Sequence, residues 1–262
     1  MTTIANNLQA VRARIADACA VARRPVEDVA LLAVSKTFDL QAVREAVAAG
    51  QRQFGENYIQ EAVGKILAIR LDEAECLGPP ASRQASGVGA APAGPLRCTT
   101  QWHCIGPVQS NKTRLVAEHF DWVHTVDRLR IAQRLSEQRP AGLAPLQVCI
   151  QVNVDGGLTK SGVPPDEALA LAHAVAALPR LALRGLMTIP EPTADAAVQR
   201  VVHERTRVLF DAMARQLPAS VAWDTLSMGM SADLEAAVAA GSTLVRVGTA
   251  IFGERLPRGQ RA

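Results

Sequence analysis

Leu8, Val11, Ile15, Cys19 and Ala22 recur three or four positions apart, the spacing of one helix face, and predict an amphipathic helix that stops before Pro25. The pattern then changes. Val29-Ala30-Leu31-Leu32-Ala33-Val34-Ser35-Lys36 is an apolar run ending on a lysine, with the content of a strand covered on both faces. Asp39 is placed to cap a helix with Val43 and Val47 inward and Gly50 as its stop. Gln53-Phe54-Gly55-Glu56 reads as a second strand feeding a helix from Asn57 to about Leu71, and Trp102 to Gly106 as a third, with a helix beginning near Ser110. A fourth strand runs from Asp121 to Val126, after which Asp127 should cap a helix reaching about Arg139. Pro145 to Val154 is a fifth, and Pro164-Pro165-Asp166 opens the helix that ends near Pro179. Leu181 to Ile189, Asp224 to Gly229 and Thr243 to Thr249 complete the set, separated by helices at about Ala194 to Gln216 and Ser231 to Gly241.

Strands alternating with helices eight times predict a single α/β domain over 1–262, a closed (β/α)8 TIM-type barrel with an extra N-terminal helix. An open doubly wound sheet fits less well, because no Gly-x-Gly-x-x-Gly turn follows the first strand. The texture breaks once. Residues 78–95 carry eight glycines and prolines with a lone Arg83, too little apolar surface to offset ordering entropy, so a disordered loop insertion is expected at about 78–97.

Composition narrows the function. A net charge of +3 without blocks of one sign gives no footprint for nucleic acid or an anionic membrane surface. The first residues lack the charged and apolar regions of a signal peptide, and no apolar stretch reaches the ~18 residues of a membrane span. Five cysteines without a Cys-x-x-Cys pair read as reduced thiols of a cytoplasmic protein. Histidines 119, 124, 173 and 203 show no metal-ligand spacing, and His103 reads as a core or rim residue bonded to backbone, so no metal is expected.

Candidate chemistry starts at Lys36. The chain has four lysines (Lys36, Lys65, Lys112, Lys160) against twenty-four arginines, and a lysine can form an imine where an arginine cannot. A strand-end lysine can also simply snorkel to water. If the barrel closes, the eighth strand lies beside the first and brings Arg246 to the end where barrel chemistry sits. A neighbouring guanidinium and desolvation both favour the neutral, nucleophilic amine. Alternatively, Arg246 pairs with Glu56 or Glu254. Gly248-Thr249 and Gly229-Met230-Ser231 follow the eighth and seventh strands, the usual barrel phosphate site, with Ser227 and Thr249 as hydroxyl donors. An imine-forming amine beside an anion cradle specifies an aldehyde carrying a phosphate, the shape of pyridoxal 5′-phosphate (PLP). Asn57 either reaches the ligand's ring hydroxyl or caps its own helix. Lys112 and Lys160 read as solvated loop lysines.

Together, several stretches resemble the pyridoxal phosphate homeostasis proteins. They are Leu32-Ala33-Val34-Ser35-Lys36-Thr37, Phe54-Gly55-Glu56-Asn57-Tyr58, Trp102-His103 with Ile105-Gly106-Pro107, Lys160-Ser161-Gly162, Leu183 to Met187, Leu226 to Ser231 and Val245 to Gly253. The resemblance implies a barrel like the N-terminal domain of alanine racemase. It further implies that Lys36 carries PLP as a covalent imine, that Arg246 faces the pyridine nitrogen, and that Ser227, Gly248 and Thr249 hold the phosphate, with Asn57 and Met228 among the contacts. Three features depart from the family. Phe38-Asp39 stands where Lys-Pro is frequent, Cys104 places an oxidisable thiol near the site, and the 78–97 loop is long.

A racemase needs a second positioned base. In alanine racemase a tyrosine on a C-terminal domain supplies it. With the barrel predicted to close near Phe252, no such domain is expected here, and Tyr58 is the single tyrosine. An arginine at the pyridine nitrogen also weakens the ring as an electron sink. The sequence therefore favours a monomeric PLP carrier that buffers the cofactor, or delivers it to apo PLP-dependent enzymes, with little or no turnover. A weak PLP-dependent amino-acid racemase and a cofactor-free Schiff-base aldolase are the alternatives.

Overall fold

The structure, a computed structural model, describes residues 3–77, 100–157 and 160–254. The stretch at about 78–97 read as an insertion lies outside them. Helix α1 (Ile4–Val21) is capped by Thr3, whose hydroxyl accepts the Asn6 N–H. The chain then alternates β1 (Ala30–Val34), α2 (Leu40–Ala48), β2 (Gln53–Glu56), α3 (Ile59–Leu77), β3 (Gln101–Cys104), α4 (Thr113–His119), β4 (Trp122–Val126), α5 (Leu129–Gln138), β5 (Leu146–Gln151), α6 (Pro165–Ala176), β6 (Leu181–Met187), α7 (Ala196–Ala214), β7 (Thr225–Ser227), α8 (Leu234–Ala239), β8 (Leu244–Val247) and a last turn, α9 (Thr249–Phe252). All eight strands are parallel and close in sequence order, β8 pairing with β1 through Leu31↔Val245 and Leu32↔Arg246. The expected (β/α)8 barrel is what forms.

Two apolar clusters follow from the strand period of two. Leu32, Val34, Ile105 and Leu244 face each other inside the barrel. Their neighbours Ala33, Phe54, Trp102, Val123, Val245 and Val247 face outward and pack under the helices. Because α9 is a single turn, the wall outside β8 needs another cover. Helix α1 provides it, packing on α2, α8 and α9, with Asn7 Nδ2 donating to the Ile251 carbonyl at 2.8 Å. Among the described residues, the N-terminal helix thus occupies the place of an eighth barrel helix. Among the described residues no helix is long and apolar enough to cross a membrane.

Several boundaries differ from the sequence reading. Strand β1 ends at Val34, so Lys36 stands past it in a turn. Helix α3 begins at Ile59 rather than Asn57 and runs to Leu77. Helix α8 begins at Leu234, because Ser231 to Asp233 form a turn first. Asp127 does not cap α5; its carboxylate pairs with Arg128 at 3.1 Å. Asp39 caps α2 as expected, accepting from the Ala42 N–H at 2.8 Å.

Candidate functional site

Lys36 is the second residue of a tight turn at the C-terminal rim, closed by the Phe38 N–H on the Ser35 carbonyl at 3.1 Å. The next residue, Thr37, has φ 71°. Left-handed backbone at a β-branched residue is strained and persists only where the surroundings enforce it. The enforcement is visible. Ser35 N–H donates to the Gly55 carbonyl at 3.0 Å, and the buried Lys65 ammonium donates to the Ser35 carbonyl at 3.0 Å and to Glu56 Oε1 at 3.0 Å. Glu56 Oε1 also accepts the Ser35 hydroxyl at 2.7 Å, and Glu61 pairs with Lys65 at 2.8 Å. Burial pushes the Glu56 carboxyl up against the opposing pull of Lys65 and Ser35. Lys65 comes from α3, so this cluster lies outside the barrel wall and grips the Lys36 turn by its backbone. Lys36 itself is partly buried. Glu56 therefore serves Lys65 rather than Arg246. Sequence reasoning missed Lys65, whose helical position gave no sign of partners on β2 and in the Lys36 turn.

Inside the wall sits Arg246, 4% exposed and on the same inward face of β8 as Leu244. Nη1 donates to the Ser227 carbonyl at 2.7 Å and hydroxyl at 2.8 Å, and Nη2 to the Thr188 carbonyl at 2.7 Å. No carboxylate hydrogen-bonds it among the described residues. Burial lowers its pKa to about 10, which still leaves a cation at neutral pH. Three of a guanidinium's five N–H donors are thus spent on the barrel. A chain of contacts continues inward, Ser227 Oγ to His124 Nδ1 at 2.9 Å and His124 Nε2 to His103 Nδ1 at 2.9 Å. Burial holds His103 down to about 3 and pushes His124 well below its ordinary value, with His103 and Arg246 adding to the shift. Both rings are therefore neutral, each with one N–H to give, and they form a continuous run of hydrogen bonds with the Ser227 hydroxyl, which accepts from Arg246. His124 had shown no signal in the sequence.

The anion loops flank this chain. Gly248 packs on β1, where a Cβ would lie 3.1 Å from the Val34 carbonyl oxygen. Thr249 follows as the exposed first residue of α9, whose leading N–H groups have no intrahelical acceptor. The Ser227 hydroxyl, expected on the phosphate, is turned into the barrel onto Arg246 and His124 instead. Met228 is fully buried in the outer core, its carbonyl taken by Ser242 at 2.7 Å, so its side chain serves packing.

Asn57 lies before α3 rather than within it, and its Oδ1 is buried without a hydrogen-bond partner, so the amide does not cap the helix. A Cβ at Gly106 would come within 2.5 Å of the Asn57 carbonyl oxygen; only glycine lets the two rim segments approach so closely. Thr188 Oγ1, beside the Arg246 contact, is likewise buried and unbonded. Next to Asn57 a cavity of about 450 Å³ opens between Tyr58, Gln109 and Lys112. Tyr58 is 43% exposed, and Lys160 pairs with Glu191 at 3.5 Å. Cys104 is not an exposed thiol at the mouth: it is fully buried, and burial pushes its pKa up to about 12.

Residues 6–256 match the family described as alanine racemase, N-terminal domain. The chain is 54% identical over 255 residues to the pyridoxal phosphate homeostasis protein of Pseudomonas aeruginosa, covering 97% of each chain. It is 51% identical over 255 residues to that of Escherichia coli K12, covering 97% of this chain and 98% of that one. Among solved structures, PipY of Synechococcus elongatus PCC7942 with PLP bound superposes with a TM-score of 0.76 at 33% identity, over 96% of this chain and 100% of PipY. A closed barrel whose last strand, carrying a buried arginine, pairs with the first strand, which leads into the Lys36 turn, and which these relatives match along nearly its full length, belongs to the pyridoxal phosphate homeostasis proteins of the alanine racemase N-terminal domain family.

Proposed function

We propose that this protein binds PLP through a Schiff base on Lys36 and buffers or delivers it, with little turnover. One observation carries the reading: among the described residues Arg246 is a buried cation hydrogen-bonded to two carbonyls and a hydroxyl but to no carboxylate. Asp233 offsets part of that charge through space, and a ligand acceptor on the remaining N–H donors would offset the rest. The site's other buried polar atoms without partners, Asn57 Oδ1 and Thr188 Oγ1, fit a polar ring in the same place. When bound, the cofactor supplies an aldehyde for the amine and a ring that can draw electrons.

The chain's own residues bind and orient. Lys36 offers the amine at the rim. Arg246 directs its remaining N–H donors at the ring nitrogen and, as a permanent cation, keeps a proton off it. Asn57 faces the ring hydroxyl, and Gly248 and Thr249 offer small side chains and backbone N–H groups to the phosphate. His103 and His124 hold neutral tautomers and are buried, so neither stands as a second base at the mouth. This favours retention over racemisation. The relatives' names, and the PLP bound to PipY, support the ligand.

Borohydride reduction of PLP-loaded protein, followed by mass mapping, should place the modified lysine at residue 36; modification elsewhere alone rejects the assignment. Arg246→Ala should weaken retention and change the absorption of bound PLP while the barrel stays folded, and an unchanged spectrum would mean the guanidinium does not face the ring. Incubation with single enantiomers of amino acids tests the racemase alternative, which rapid loss of optical purity would support. Protein that stays colourless when PLP is added would support the aldolase.

A further inference from the structure

We infer that His203 and Asp233 form a positioning pair that fixes the Gly229–Ser231 loop as a cradle for the ligand's phosphate. The inference rests on the PLP reading and assigns a role to two residues that touch neither the aldehyde nor the ring.

His203 lies on α7, fully buried, and its Nε2 bonds Asp233 Oδ2 at 2.9 Å. The other oxygen, Asp233 Oδ1, accepts the Met230 N–H at 2.7 Å. One carboxylate therefore spans from a barrel helix to the middle of the loop. Burial works against the Asp233 charge, but the bonds from His203 and Met230 outweigh it and hold the carboxyl below its ordinary value. The loop is tied at its edges as well. The Gly229 carbonyl accepts the backbone N–H of Arg246 at 3.0 Å, and the Ser231 carbonyl accepts Arg14 Nη1 of α1 at 2.8 Å. With both carbonyls already engaged, the loop presents little acceptor character at the mouth, which suits an anion.

Packing alone does not hold the loop there. Behind it is a cavity of about 70 Å³ lined by Pro190, Glu191, Met230, His203 and Asp233. His203 Nδ1 is buried without a hydrogen-bond partner among the described residues. A loop backed by empty space is set by its hydrogen bonds, and the His203–Asp233 link is the one reaching across that space. Without it, the loop can sink into the cavity and draw back from the phosphate.

The test compares PLP with pyridoxal, which has the same aldehyde and ring but no phosphate, by equilibrium retention on purified protein. His203→Phe should lose PLP affinity by about tenfold to a hundredfold, the effect of a lost charge-assisted bond, with pyridoxal affinity unchanged. His203→Gln, whose amide N–H can replace Nε2–H, should recover most of the loss. Asp233→Asn keeps the size and an acceptor for Met230 but also removes a charge that acts on Arg246, so it should weaken both ligands slightly and PLP clearly more than pyridoxal; that excess decides the matter if His203→Phe does not fold. A wild-type preference for PLP that survives in both variants overturns the pair, as does an equal loss for both ligands. Wild-type protein that retains neither aldehyde overturns the cofactor reading, and this inference with it.

Discussion

Two polar clusters flank the rim of the barrel on opposite sides of its wall, and they are built differently. Outside, under α3, Lys65 and Glu56 are a buried ion pair that extends through Glu61 to solvent and grips the backbone of the Lys36 turn. Inside, Arg246, Ser227, His124 and His103 form a chain with one charge and two neutral rings, gripping a side chain. The outer cluster can neutralise itself within the protein. The inner one holds a cation with no hydrogen-bonded carboxylate among the described residues, offset only through space by Asp233. In the function proposed above the difference separates two tasks: a reacting amine needs its anchor fixed but its reach kept, whereas an orienting guanidinium needs its own plane fixed.

The largest effect should come from the reacting amine. Lys36→Ala should abolish the borohydride-trapped adduct at this position entirely while leaving thermal unfolding nearly unchanged; a retained adduct on the same peptide would contradict the assignment. Next is the outer pair. Glu56→Ala leaves the buried Lys65 ammonium with Glu61 as its remaining counter-charge and the Ser35 hydroxyl without its acceptor, and should cost about 1–3 kcal/mol in urea unfolding. Glu56→Leu with Lys65→Met should recover most of that loss, since apolar replacement removes both charges together. A cost below about 1 kcal/mol for Glu56→Ala would mean that the outer cluster is not a closed ion pair.

The inner chain predicts an acid dependence. His103 is held to about 3 against an ordinary 6.5. As pH falls below 6.5 the unfolded chain binds a proton that the folded chain refuses, so the stability present above 6.5 is lost progressively down to about 3. For His103 the slope is about 1.4 kcal/mol per pH unit, or about 2 kcal/mol at pH 5. Urea unfolding at pH 7 and pH 5 measures it. His103→Gln should reduce the difference by about 2 kcal/mol; an unaltered slope would show that the ring is not held neutral. The smallest effect concerns backbone. Thr37→Gly should relieve the left-handed strain and stabilise by about 1 kcal/mol, and a loss instead would show that the threonine side chain contributes more than its backbone costs.

The sequence revealed most of the barrel because covered parallel strands are continuous apolar runs and the helices between them carry one apolar face. Lys36, Arg246 and the β1–β8 neighbourhood followed from that count. What stayed hidden depended on contacts without local pattern. His124 and Ser227 are 103 residues apart, and nothing near either marks the other. Lys65 reads as an ordinary helical lysine until Ser35 and Glu56 are placed beneath it. The Ser227 hydroxyl was expected on a phosphate because its loop is right, but strand alternation turns it inward. Helix α8 starts late because Asp233, which looks like a first-turn acid, spends both oxygens outside the helix, on Met230 and His203.

The substitution of α1 for an eighth barrel helix shapes how the chain must assemble. Arg14 meets Glu235 across 221 residues of sequence, so α1 reaches this seat only after that length of chain has been made. Until then Leu8, Val11 and Ile15, buried in the folded protein, lack the α8 and α9 neighbours that help to cover them.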